Sequence, residues 1–419
     1  MVVMVAREQV GQPRYPGRFR NAPERSRRIA RPLGVVARVR GVDEELLDRI
    51  GTRMFARDEL GADLAAAMSR PRTDPERVTM AAFHRALAGS DPETTAARSE
   101  AELPRRRPDT ALGRFFAAVE DTPDWVDLDE VERGGRALRR MGRTLDDVLL
   151  TLSLIGGYRF GGPADLLVAT GGLTGSTATR RLGETTEWAR AVISPGGMRR
   201  DGEGWRLTVH VRAMHALVNR RFETNGRWNV GHWGLPVNQS DQAATLGLFS
   251  STGLLGARAL GWVVTPAESR AVMHLWRYVG WLMGVDDDWL FTTEREQNHF
   301  LHHVLLVQDD VTPAGPALAG ALVAGQRHPR HVLGLLRWFL GREALTDLGL
   351  PTALPWTVPP TVLRNLVLSG LVARTRAGRR ALERRGDAWT REEIGRRFAG
   401  ARPAVAPLPE QAPTSVARE

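Results

Sequence analysis

Apolar side chains recur at three-and-four spacing along most of the chain, and that period commits it to helices. Stretches at 43–68, 76–89, 111–119, 127–141 and 144–156 all carry it. Strand-like alternation is brief. Residues 208–215 (TVHVRAMH) alternate, but a longer helical period runs through them. Polar, Pro-bearing joints fall at 70–77 and 90–109. The expected fold class is all-α: one multi-helix core with extra N- and C-terminal helices. The expected divisions are a basic, flexible arm over 1–40, a helical N-terminal extension over 41–109 and a core over 110–310. C-terminal helices over 311–400, the last strongly basic, and a disordered Pro- and Ala-rich tail over 401–419 complete the chain.

Two absences narrow the chemistry. The chain has no cysteine, which excludes disulfides, thiolate-ligated haem, iron–sulfur clusters and cysteine-zinc sites. It also has no lysine, so all 58 basic residues are arginine and Schiff-base chemistry is excluded. Of the formal charge of +10, residues 1–40 carry +8, with ten Arg against two Glu. With little aromatic interleaving and no nucleic-acid motif, this reads as a solvated arm rather than a nucleic-acid contact. No run approaches the roughly 20 apolar residues of a transmembrane span, and no export signal is legible at the start, so the expected location is cytoplasmic.

Three groups of residues can carry chemistry. In residues 205–222, Leu207, Val211, Met214, Val218 and Phe222 share a helix face with His215, and Arg212 and Asn219 lie one turn to either side of it. Such an imidazole suits an iron ligand in an apolar pocket, and equally a hydrogen-bonded core histidine. Residues 235–256 follow, with Asn238, Ser240 or Asp241 able to cap a helix bearing Thr245, Phe249 and Thr252. Secondly, Arg181, Glu184 and Thr185 fall within one helical turn, as a converging site or a surface pair. Thirdly, Glu296, His299 and His303 have spacings that can bind a metal, or can form an interface. His232 reads as structural.

Three segments, VRAMHALVNRRF, LPVNQSDQAATLGLFS and LWRYVGWLMGVDDDWLF, together resemble the catalytic domain of the latex-clearing protein or rubber-oxygenase family. That family includes the fungal endoplasmic-reticulum oxygenase of mycophenolic acid synthesis. The resemblance covers roughly residues 110–310 and implies a globin-like all-α core, a haem b cofactor, dioxygen as co-substrate and oxidative cleavage of double bonds in isoprenoid chains. It places the proximal iron ligand on His215 and a pocket threonine on Thr245. A distal Arg-x-x-Lys-Thr segment becomes Arg181 to Thr185, with Glu184 replacing the lysine, and a carboxylate base falls near Asp165. Asn219 stands where an arginine is usual.

The function so implied is an intracellular haem b-dependent oxygenase acting on an apolar, isoprenoid-like unsaturated small molecule. Arg181 would steady charge on bound oxygen, Glu184 or Asp165 would move a proton, and Arg212 or Arg220 would pair with haem propionates. The alternatives are a non-catalytic haem-binding or gas-sensing protein, and a non-haem iron enzyme using Glu296, His299 and His303. Oligomeric state is not legible.

Overall fold

The computed structural model describes residues 13–89, 109–171 and 175–398, with the side chains of 175–177 left out. The expectations for residues 1–12, for the joint at 90–108 and for the tail at 401–419 lie outside the described residues. The described chain is all-α, as expected. Its first helices are α1 (Pro23–Val36), α2 (Glu44–Thr52), α3 (Glu59–Met68), α4 (Met80–Ala88), α5 (Ala111–Glu120) and α6 (Leu128–Met141). A short α7 (Arg143–Val148) runs into a π-helical stretch at Leu149–Ile155. Then come α8 (Pro163–Ala169), α9 (Gly175–Ile193), α10 (Glu203–Thr224), α11 (Val230–Trp233), α12 (Gln239–Phe249) and α13 (Ser251–Ala259). The last are α14 (Pro266–Leu282), α15 (Glu294–Leu306), α16 (Ala314–Ala324), α17 (Pro329–Asp347), α18 (Val358–Gly370) and α19 (Arg376–Arg397).

Local chemistry sets many of the starts. Asp43, Thr79, Thr110, Asp127, Asn238 and Thr375 each accept a backbone N–H from the first turn of their helix. Thr265 with Glu268, and Thr293 with Glu296, close reciprocal capping boxes. The main apolar core runs from Leu46 through Leu382 and includes Phe83, Phe115, Trp205, Trp276 and Phe300. Residues 46–87 therefore share a core with the 110–310 body. A second core gathers α8, α16 and α17 around Tyr158, Leu318 and Leu336.

The structure corrects the flexible arm over its described part. Ser26 and Ala30 of α1 are fully buried, and α1 packs along α15. The reason is that its arginines meet carboxylates far away in sequence. Arg25 reaches Asp347 at 2.9 Å and Arg28 reaches Glu343 at 3.0 Å. Arg18, only 1% exposed, reaches Asp241 in the first turn of α12 at 2.5 Å. Positive charge was legible in the sequence; its partners were not.

Two polar anchors fix α10. Three residues before His215, the Arg212 guanidinium grips Asp58 through Nε (2.6 Å) and Nη2 (2.7 Å). Asp58 occupies the N-cap position of α3 but makes no cap bond there. Four residues after His215, Asn219 clips Val237, donating to its carbonyl and accepting its N–H, both at 2.7 Å. Removing one partner of a buried ion pair strands the other charge and costs about 3–5 kcal/mol. The Asp58→Ala variant should therefore unfold at markedly lower urea than the parent, by an amount of about that size. An unchanged urea midpoint would show that the pair does not hold α10.

Candidate functional site

The apolar face of α10 that reads as core in the sequence is the face left partly uncovered. Leu207, Val211, Met214, His215 and Val218 all retain partial exposure, whereas Trp205, Val209, Ala213 and Ala216 on the other faces are buried. On α12, Gln242, Thr245, Leu248 and Phe249 form a similar accessible stripe. On α9, Arg181, Glu184, Thr185 and Trp188 form a third. Apolar side chains left partly open at helical spacing on neighbouring helices are what the wall of a ligand recess presents.

Ring contacts tie the three stripes together. Trp188 on α9 meets Phe249 on α12 edge-on at 5.3 Å, and both meet Trp276 of α14, at 5.8 and 5.0 Å. Trp188 Nε1 donates to Thr208 of α10 at 3.0 Å. Thr185 lies one turn from Trp188, and Thr245 one turn from Phe249. Helix α10 packs on α3, α9 and α14, and α12 on α13, α14 and α15, but α10 and α12 do not pack closely on each other. Across this gap His215 interacts with the side chain of Gln242.

Burial pushes the His215 imidazole below the usual histidine range, against smaller opposing effects of Gln242 and Asp58. Its Nδ1 is buried and has no hydrogen-bond partner, although the ring as a whole is partly accessible. A ring set in the wall of a recess has both properties, since protein surrounds it on all sides but one. A neutral imidazole with an unsatisfied nitrogen is the form that binds a metal. These residues fit a b-type haem: one neutral histidine, apolar walls, aromatic rings at one end and threonine hydroxyls nearby.

The other expected residues are placed in different company. Arg212, expected at a propionate, is committed to Asp58 and also donates to the Leu282 carbonyl at 3.3 Å. Arg220 is exposed at the α10 surface. Arg181 donates to the Thr170 hydroxyl and carbonyl, both at 3.0 Å, at the end of α8. Glu184 pairs with Arg180 at 3.1 Å. Asp165 sits at the other end of α8, where its Oδ2 accepts from the Gly162 N–H (3.0 Å) and the Thr312 hydroxyl (2.9 Å). Thr245 is exposed, and its hydroxyl donates to the Asp241 carbonyl at 2.7 Å. The structure brings His215 and the α12 stripe together; it does not gather Asp165, Arg181 and Glu184 into one cluster.

The non-haem iron set is corrected. No group of three or more metal-ligating side chains occurs among the described residues. Glu296 is spent on the cap of α15, accepting from the Thr292 and Thr293 N–H groups. His303 uses both ring nitrogens, Nδ1 toward the His299 carbonyl (2.8 Å) and Nε2 as acceptor from the Asp43 N–H (2.9 Å). His232 lies 3.4 Å from Asp309. Sequence reasoning missed Gln242, Asp58 and Trp188. Gln242 could have been found as the residue one turn before Thr245 on the same face.

Comparison with known proteins follows this geometry. A family model described as ER-bound oxygenase mpaB/B'/Rubber oxygenase, catalytic domain, matches residues 139–377. The rubber oxygenase of Streptomyces sp. (strain K30) is 24% identical over 273 residues, covering 60% of this chain and 63% of that protein. The match thus spans less than two thirds of that relative's length. The solved structure of latex clearing protein LCP in the closed state superposes with a TM-score of 0.62 at 19% identity, covering 84% of this chain and 91% of that one.

The depressed His215 pKa has a consequence for the haem-free protein. Below about pH 6.5 the unfolded chain protonates this histidine while the folded chain resists, so stability falls as pH drops from there toward the folded value. Urea midpoints measured between neutral and mildly acid pH should fall more steeply for the parent than for His215→Gln. Parallel curves would mean that the ring is not held neutral.

Proposed function

The chain belongs to the family described as ER-bound oxygenase mpaB/B'/Rubber oxygenase, catalytic domain, and on that premise we propose a haem b-dependent oxygenase acting on an apolar, isoprenoid-like unsaturated small molecule. The observation that carries the reading is His215. It is a neutral imidazole with an unpartnered buried nitrogen, set in an uncovered apolar face opposite a second uncovered stripe. Haem b, when bound, supplies an iron centre at which dioxygen is activated for attack on a double bond.

The residues of this chain have separable tasks. His215 holds the iron, and the anchors at Arg212 and Asn219 orient it by fixing α10. Leu207, Val211, Met214 and Val218 exclude water and give an apolar substrate its wall. Arg181 is held at the end of α8 by the Thr170 hydroxyl and carbonyl, and places a fixed positive charge on the α9 side to oppose developing negative charge. Asp165 has Oδ2 occupied, which leaves Oδ1 to take a proton from substrate. With Arg212 spent on Asp58, Arg220 is the arginine of the expected pair still open to a carboxylate such as a haem propionate.

The engagement of Glu184 with Arg180 and the distance along α8 between Asp165 and Arg181 favour a second reading, a haem-binding or gas-sensing protein without turnover. Oxygen uptake with an unsaturated isoprenoid substrate separates the two. The haem reading itself predicts a Soret band in the purified, haem-supplied protein and its loss in His215→Ala, with the helical far-ultraviolet spectrum of the parent retained. A Soret band of equal strength in His215→Ala would contradict the assignment.

A further inference from the structure

The arginines of the C-terminal region include several that the ion-pair network leaves unused. Residues 358–385 hold seven Arg and one Glu. Arg364, Arg374, Arg376, Arg380 and Arg385 have no carboxylate within ion-pair distance among the described residues, unlike the arginines of α1. Two of them converge on a pocket of about 140 Å³, lined by Arg143, Thr144, Arg364, Arg385 and Trp389. Arg143 lies over the Trp389 ring at 5.3 Å. The indole Nε1 of Trp389 is buried without a hydrogen-bond partner. Burial, and then the positive charge of Arg143, depress the Arg364 pKa. Arg140 also lines the pocket but is paired with Glu268, and Arg143 lies 3.5 Å from Asp147. Arg364 and Arg385, with no carboxylate partner and the unpartnered Trp389 N–H beside them, are left to meet a phosphate-sized anion. Arg140 and Trp262 also line a neighbouring groove, which includes Arg374 and Arg379.

Arg364 belongs to α18, which carries a run of exposed apolar side chains. On α18, Leu363 (65% exposed), Leu366, Val367 and then Leu371 (58%) follow three-and-four spacing away from the pocket residues Asn365 and Leu368. Trp356 is 77% exposed and Trp338 49%. The Leu354–Pro355 backbone lies against Gly334, one turn from Trp338 on α17, so these side chains continue the ridge. Eight of the eleven large apolar residues exposed in the described chain fall here, counting Val263 and Leu354. Ordinary solvation does not account for a ridge of this kind beside unpaired arginines.

We infer that this face docks on an anionic phospholipid bilayer, the arginine pocket taking a lipid phosphate while the Trp356–Leu363–Leu371 ridge enters the acyl-chain boundary. Apolar side chains with tryptophan on one side and arginines beside them are the composition of an interfacial membrane surface. No helix among the described residues is long and apolar enough to cross a membrane, so this contact lies on the bilayer rather than through it. A second copy of the chain is a poor occupant, because a self-complementary contact would set one arginine-rich face against another. The inference is independent of the oxygenase reading, since vesicle binding needs neither turnover nor substrate.

Sedimentation of the full-length protein with phosphatidylcholine vesicles, and with phosphatidylglycerol-rich vesicles, tests it. The protein should pellet with the anionic vesicles, weakly with the neutral ones, and less as salt is raised. Trp356→Ser combined with Leu363→Ser, and separately Arg364→Gln combined with Arg385→Gln, should each weaken binding at least tenfold. Trp356, Leu363 and Arg385 are exposed, while Arg364 also bonds Asn365, so the melting temperature of each variant, measured beside its binding, separates lost vesicle contact from a folding defect. Equal pelleting with neutral vesicles, no pelleting with anionic ones, or full binding by both double variants would overturn the inference. So would a parent dimer that the Trp356→Ser, Leu363→Ser variant abolishes, which would assign the ridge to a second copy.

Discussion

Two buried polar contacts on α10 hold the rest of the site in register. Arg212 binds Asp58 at the start of α3, and Asn219 binds both backbone groups of Val237 ahead of α12. They lie three residues before and four residues after His215, so together they set the rotation of the helix and the direction of the imidazole. Gly284, with φ of +77°, lies so close that a Cβ there would sit 2.7 Å from the Asp58 carboxyl carbon and 2.8 Å from Arg212 Nε. Gln239 then ties the turn at 284–286 to the start of α12, donating to the Gly284 carbonyl and accepting the Asp286 N–H. A continuous polar chain therefore links the histidine helix to the helix facing it. The two helices do not pack closely on each other.

That separation is what the apolar residues record. A helix face bearing Leu207, Val211, Met214 and Val218 would ordinarily be closed by the nearest apolar neighbour. Here the two anchors hold α10, and the aromatic group of Trp188, Phe249 and Trp276 joins α9, α12 and α14. The π-helical stretch at Leu149–Ile155 serves the same architecture. Ser153 donates to the Leu248 carbonyl at 2.8 Å near the break between α12 and α13, satisfying a backbone group as α12 ends. The resemblance in fold to the latex clearing protein agrees with the all-α arrangement.

Helices were legible because the apolar period of 3.6 survives in nearly every segment, and of the three cap candidates Asn238, Ser240 and Asp241 it is Asn238 that caps α12. His215 was legible as a histidine on an apolar face, and the order of three segments pointed to its family. What could not be read were partners distant in sequence. Asp58 lies 154 residues from Arg212, and Asp241 lies 223 residues from Arg18. Without those partners Arg212 looked free for a propionate and the N-terminal arginines looked solvated. The reading of Glu296, His299 and His303 failed for a related reason. Helical spacing shows that side chains can share a face, but not that a capping turn and the Asp43 N–H have already used them.

Ligand rescue tests the central claim, that His215 is the side chain holding haem iron in the space between α10 and α12, most directly. The His215→Gly variant should lose the Soret band and regain it when free imidazole is added, because the anchors at Arg212 and Asn219 keep the cavity open around the missing ring. A His215→Gly protein that holds haem with an unchanged spectrum before imidazole is added would contradict the account.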